Sequence, residues 1–247
     1  MRKSYSEDQA AGQSTRDLAA RRHNARVWFI LSMIGAVLLL LLVASFSKKL
    51  GLGGAGVLVI ILIARVTMDF TEAKERRLFK LERRAARGAK GEEDVARILD
   101  ALNPNEYLVL HDIASPYGNI DHIVIGKHAG IFLIETKAHG GKVTIESGQV
   151  LVNSRVPEKD FIAQALRNTY WLRDILRQEL ATHAWIMPVL VFTNAFVPKL
   201  EPVKGVQILN KRYLLALLQL KYAPLPVELW QSVGSIQKIL KVSCEQR

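Results

Sequence analysis

Apolar positions change their spacing three times along this chain. The first regime is unbroken: residues 27–47, VWFILSMIGAVLLLLLVASFS, carry no charge over 21 positions. A second run, LGLGGAGVLVIILIA at 50–64, adds another 15 and extends to Met68 across the single Arg65. From Thr71 the composition turns helix-forming, with Glu, Ala, Lys, Arg and Leu. In GAKGEEDVARILDALNP the apolar positions Val95, Ile98, Leu99 and Leu102 recur at helical spacing. That spacing predicts a helix with Gly88 and Gly91 near its start and Asn103-Pro104 at its end.

After Pro104 the runs are short and bounded by turn residues, as strands are. YLVLHDI (107–113), IDHIVI (120–125) and IFLIET (131–136) each read as one strand. GGKVTIESGQVLVNS (140–154) reads as a hairpin turning near Ser147-Gly148. KDFIAQALRNTYWLRDILRQEL (159–180) reads as an amphipathic helix, with Ile162, Leu166, Tyr170 and Ile175 as core candidates. WIMPVLVFTN (185–194) reads as a strand buried on both faces. GVQILN adds a short strand, and KRYLLALLQLK and VELWQSVGSIQKILKV are expected to close the chain as helices. Helix, antiparallel strands, helix and strand in that order predict an α+β (mixed α/β) domain.

The two uncharged runs are each long enough for a bilayer core, so the expectation is a transmembrane hairpin turning at Ser47-Lys48-Lys49. A buried hairpin in a soluble core is the alternative, and long uncharged runs disfavour it. Basic residues number six in 1–26, two at the turn and nine in 65–90. The excess on both flanks predicts that both termini and the main domain face the cytoplasm, from a multi-pass position in the inner (cytoplasmic) membrane. The same division accounts for the net charge of +11, since residues 88–247 hold 18 basic and 16 acidic side chains. The basic stretch at 74–90 is read first as a contact for anionic lipid headgroups. Binding to nucleic-acid phosphates is its alternative. The lone Cys244 excludes an intrachain disulfide and a cysteine metal site.

Charge is misplaced at one point. In NIDHIVIGKHAGIFLIETKA (119–138), Asp121 opens one apolar run and Glu135 and Lys137 close the next. A five-residue loop, Gly126 to Gly130, would pair Ile125 with Ile131 and bring Asp121 opposite Glu135. Lys137 would share their face. Like charges directly opposite are destabilising, and a divalent cation on hard oxygen ligands would relieve them. A solvated sheet edge is the plainer explanation, and on the residues alone both stay open. By strand alternation His122 points to the other face. His111, His128, His139 and His183 show no metal-ligand spacing.

GAKGEEDVARIL, NIDHIVIGKHAGIFLIETKAHGGKV, QALRN and PVLVFTN resemble the nuclease-related domain, NERD, a member of the PD-(D/E)xK nuclease superfamily. The resemblance covers roughly residues 85–200. It implies a restriction-endonuclease-like core. Asp121 matches the metal-binding acid, Glu135 and Lys137 the Glu-x-Lys pair, and Glu92 the helix acid that completes the metal shell. Gln164 resembles the helix glutamine that positions substrate or active-site groups, and Asn168 lies one turn later. Ile120 stands where many members have proline. The implied metal ligands are thus Glu92, Asp121 and Glu135, and the implied catalytic residues Asp121, Glu135, Lys137 and Gln164, with Mg²⁺ (or Mn²⁺) as cofactor.

The expected organisation is a cytoplasmic tail at 1–26, a membrane hairpin at 27–68, a basic helix at 69–87, the nuclease-related domain at 88–200 and a helical extension at 201–247. The expected function is a membrane-anchored, metal-dependent nuclease that hydrolyses phosphodiesters, with DNA as the first candidate substrate. The alternative is a catalytically silent module binding nucleic acid or a protein partner at the membrane.

Overall fold

The computed structural model describes residues 54–220 and 224–245, with scattered positions between 27 and 45. The expected tail, twelve of the 21 residues of the first apolar span and the Lys48-Lys49 turn lie outside the described residues. Among the described residues no helix is long and apolar enough to cross a membrane. The chain divides into two compact units, one of Thr15–Ala86 and one holding Arg87–Arg247. The first is helical wherever it is described.

Helix α1 runs without a break over Gly54–Leu99, where the sequence suggested a fresh start near Gly88. The stretch 71–87 holds no proline, and one glycine in a helix costs only about 1 kcal/mol. Gly91 serves close approach instead. A Cβ placed on it would lie 2.9 Å from the Ala138 Cβ and 3.2 Å from the Thr193 Oγ1. Gly91→Ala is therefore expected to destabilise the protein by about 1 kcal/mol net, because overpacking between two rigid backbones outweighs the gain in helix propensity. Thermal melting checks this, and an unchanged or raised midpoint would show that helix and strand can part freely.

Strands β1 (Tyr107–Ile113), β2 (Ile120–Gly126), β3 (Gly130–Glu146), β4 (Gln149–Val152), β5 (Ile186–Phe196) and β6 (Gln207–Asn210) form one six-stranded sheet. Its order is β1-β2-β3-β5-β6, with β4 paired to the far end of β3. β1, β2 and β3 are antiparallel, whereas β5 lies parallel to both β3 and β6. Helix α2 (Phe161–Leu180) follows β4. After β6 come a 3₁₀ turn (Lys211–Tyr213), the short helix α3 (Leu214–Leu218) and helix α4 (Val227–Glu245). The KRYLLALLQLK segment thus gives less regular helix than its apolar spacing suggested.

The sheet buries both faces, which explains its nearly continuous apolar strands. On one face Ile123, Ile125, Ile131 and Leu133 pack with Leu172, Leu176 and Ile236. On the other, Val124, Phe132, Ile134 and Val191 pack with Val95, Leu99 and Leu217. From Ile123 to Ile134 the odd positions therefore face α2 and α4 and the even positions α1 and α3, whereas Ile120 at the start of β2 joins the α2 side.

β3 is a single strand of 17 residues, where the sequence suggested two pieces. Its pairing with β5 shifts register between Lys137 and Gly140. The irregularity is pinned by Asn153, whose Oδ1 accepts from the Lys142 N–H at 3.0 Å and whose Nδ2 donates to the Gly140 carbonyl at 3.3 Å. Gly141 sits at φ +100 directly against that side chain, where any Cβ would collide. A bulge here re-aims the strand just beyond Lys137. Helix α2 starts at Asp160, whose carboxylate accepts from the Ala163 N–H at 3.0 Å. Its buried face runs through Ile162, Ala165, Asn168, Thr169, Leu172 and Ile175. Tyr170, a core candidate from the sequence, is exposed instead. Two polar residues, Asn168 and Thr169, occupy the inner face that apolar counting assigned to it.

A candidate carboxylate–lysine site

β2 and β3 pair with Ile125 opposite Ile131 and His122 opposite Ile134, the register expected from the five-residue loop. One step further, the Thr136 N–H donates to the Asp121 Oδ2 at 2.5 Å. Glu135 and Lys137 occupy odd positions of β3 and meet Gln164 on α2, and Asp121 is tied to the same end of the hairpin through the Thr136 N–H. The bulge after Lys137 and the β1–β2 loop before Asp121 bound this end of the hairpin.

Glu135 is fully buried. Its Oε1 accepts from the Asn168 Nδ2 at 2.8 Å, and its Oε2 from the Gln164 Nε2 at 2.9 Å. The Lys137 Nζ lies 3.3 Å from the same Oε2 and 3.4 Å from the Gln164 Oε1. Gln164 and Asn168 are four residues apart on α2 and so share a helix face. The ammonium also sits 5.3 Å from the centre of the Phe161 ring, which gives its stem an apolar floor.

Asp121 keeps some exposed surface as a residue, yet protein surrounds its carboxyl group. Burial pushes that carboxyl well above the usual carboxylate range, and the Glu135 charge pushes it further. Lys137 pulls it back, Glu92 adds a smaller push upward, and the Thr136 N–H opposes. Glu92 arrives on α1, whose Val95 and Leu99 pack against the opposite face of the sheet. It is close enough to be felt electrostatically at Asp121. Among the described residues no group of three or more His, Cys, Asp or Glu side chains is arranged to hold a metal ion. Of the two other expected carboxylates, Glu135 acts on Asp121 more strongly than Glu92 does.

His122 lies on the other face and is fully buried. Its Nδ1 is 2.8 Å from the His111 Nδ1, and the His111 Nε2 is 3.1 Å from the Asp100 Oδ1. Burial, and then His111, hold His122 well below the ordinary histidine range, so it is neutral. Spacing along the sequence did not reveal this chain of side chains. The β1–β2 register, with His111 opposite His122, is what creates it.

The hydrogen-bond cluster at Glu135 includes one residue whose importance the sequence understated. Asn168 is completely buried, and its Oδ1 lies 2.8 Å from the Ser115 Oγ in the β1–β2 loop. An Asn on the inner face of an otherwise apolar helix was the available signal.

A curated relative, an uncharacterised protein from Bacillus anthracis, is 43% identical over 60 residues, which span 22% of this chain and 28% of that protein. The chain therefore matches less than a third of that relative's length. No solved structure matches. Residues 87–193, which hold all the side chains of this site, match the family model of the nuclease-related domain, NERD, and this part of the chain is accordingly nuclease-related, in keeping with the PD-(D/E)xK superfamily.

Proposed function

We propose that the protein is a membrane-anchored, divalent-metal-dependent nuclease that hydrolyses phosphodiester bonds, DNA first among its substrates, at the cytoplasmic face. The observation that carries this reading is the buried Glu135 carboxylate gathered with Asp121 and Lys137 on one end of one hairpin. Three acidic side chains are felt there against one ammonium. That donor set fits Mg²⁺ or Mn²⁺, which take hard oxygens and commonly one or two carboxylates, with waters and substrate phosphate filling the rest. When bound, such a cation supplies Lewis acidity and a more acidic water. Asp121 and Glu135 would hold it, with Glu92 within electrostatic reach. Lys137 places a positive charge where negative charge develops on a phosphoryl oxygen. Gln164 ties Glu135 and Lys137 together, donating to one and facing the other.

Membrane anchoring is supported by the two uncharged runs and by the six-two-nine division of basic residues. Residues 74–90 would meet anionic headgroups on the same side as the nuclease-related domain. Reporter fusions after residue 26, at 48 and after 90 check this. The first and last are expected to report cytoplasm and the middle one the opposite side, and an external signal after 90 would refute the topology. The enzymatic claim is tested by incubating the full chain with labelled DNA and RNA in Mg²⁺, Mn²⁺ or EDTA. Cleavage that needs the metal is expected.

One observation favours a silent nucleic-acid-binding module instead: both oxygens of Glu135 are already engaged by side-chain donors. Binding of nucleic acid without cleavage under every metal condition would select that reading.

A further inference from the structure

We infer that Asn168 is a positioning residue that fixes the orientation of Glu135, and that Ser115 sets Asn168 in turn. The inference rests on the metal-site reading above. A buried carboxylate with two equivalent oxygens can turn about its terminal bond, and here the two oxygens have different partners. Oε2 faces Lys137 and Gln164, the charged side of the site. Oε1 faces only the Asn168 amide, at 2.8 Å.

A carboxamide has one donating end and one accepting end. The Ser115 hydroxyl lies 2.8 Å from the Asn168 Oδ1 and 2.5 Å from the Gly118 carbonyl, so its one proton is shared between two acceptors. The Glu135 carboxylate, an acceptor only, commits the NH₂ group to its own side. The opposite orientation would set a carbonyl oxygen against a buried carboxylate. Asn168 thus holds Oε1 on the inner side, and Oε2 is the oxygen turned toward Lys137 and Gln164.

Ser115 is itself built into the loop that leads to Asp121. Its Oγ accepts from the Tyr117 N–H at 3.1 Å and lies 2.5 Å from the Gly118 carbonyl, and the Gly118 N–H donates to the Ser115 carbonyl at 3.2 Å. Three residues after Gly118 comes Asp121. One hydroxyl therefore joins the turn that delivers the first carboxylate to the amide that orients the second. Partners of this kind, one shell out from metal ligands, typically matter by 10–100-fold in affinity or activity.

The test uses the full chain and the variants Asn168→Ala, Ser115→Ala and Ser115→Thr. Mn²⁺ affinity is read by titration calorimetry, and kcat and KM by cleavage. Asn168→Ala is expected to weaken Mn²⁺ binding by roughly 10–100-fold and to lower kcat with little change in KM. Ser115→Ala should do the same more mildly, and Ser115→Thr, which keeps the hydroxyl, should restore both. A second measurement needs no metal. Ser115 and Glu135 are bridged by Asn168, so Ser115→Ala and Glu135→Gln should be non-additive in denaturation midpoint, and additive once Asn168 is alanine. A cooperatively folded Asn168→Ala with unaltered Mn²⁺ affinity and kcat would overturn the inference, as would additivity in the unaltered background. Absence of Mn²⁺ binding by the unaltered protein would sink the metal-site reading alone, and the metal-free cycle would then decide the role of Asn168.

Discussion

Replacing Asp121 by Asn is expected to raise the melting temperature of the metal-free protein and to remove the stabilisation by Mg²⁺ or Mn²⁺ that the proposed metal site entails. The Asp121 carboxyl is pushed well above its ordinary value of 3.8, first by burial and then by Glu135. A carboxyl whose folded-state pKa exceeds its unfolded one favours folding while protonated. That advantage is lost as pH rises through the folded value. The ionised group is therefore a burden at neutral pH. Asn keeps the shape and keeps an oxygen for the Thr136 N–H, without the charge. We expect a gain on the order of 1 kcal/mol at pH 7, or about 2–4 °C for a unit of this size. The gap should close as pH falls through the raised folded value toward the ordinary 3.8, below which the carboxyl is neutral folded and unfolded alike. Melting curves from pH 4 to 8, with and without Mn²⁺, check both halves. A gain equal at all pH values would show that the charge is not its source. If Mn²⁺ still stabilises the Asn variant as it stabilises the parent, the carboxylate pair does not hold the metal.

The central hairpin was legible because two constraints agreed on it. Alternating apolar runs set which residues face inward, and a five-residue loop set the register, so Ile125 opposite Ile131 followed, as did the meeting of Glu135 and Lys137 with α2. Gln164 and Asn168 were legible from helical spacing as residues of one face. What the sequence did not convey depended on polar residues in buried places. Asn168 and Thr169 displaced Tyr170 from the inner face of α2 because hydrogen bonds, with Glu135 and the Ala165 carbonyl, satisfy them there. Glycines misled for a similar reason. Gly91 reads locally as a helix boundary, whereas contact with Ala138, 47 residues away in sequence, explains it. The continuity of β3 through His139-Gly140-Gly141 was equally hidden, because Asn153 supplies the hydrogen bonds that hold the bulge.

Truncating Lys137 to Ala is expected to abolish most of the proposed cleavage and to leave Mn²⁺ binding intact or tighter. Among the described residues the ammonium is the one cation in direct contact with Glu135, at 3.3 Å and with only 13% of the side chain exposed. Its loss has two separable consequences. The first is on stability. A buried carboxylate loses a charged partner, but the amides of Gln164 and Asn168 remain on both of its oxygens. We therefore expect a loss of about 1–3 kcal/mol, less than for a pair with no other donors. Lys137 also pulls the Asp121 carboxyl down, so its removal makes Asp121 still harder to ionise without metal. The second consequence is on chemistry. A fixed positive charge beside the reacting phosphate is worth about 10²–10³ in rate by analogy with the loss of a single preorganised donor. A divalent cation, by contrast, gains when a competing monovalent charge leaves its carboxylates. Lys137→Met separates packing from charge, because it still covers Phe161 while lacking the ammonium. Alanine and methionine should lose cleavage to the same extent, and methionine should lose less stability. Calorimetric Mn²⁺ titration, melting and cleavage on the three proteins make the comparison. If methionine cleaves like the parent, the ammonium has no part in the chemistry. If Mn²⁺ binding collapses together with cleavage, Lys137 organises the carboxylates and does not act on the phosphate.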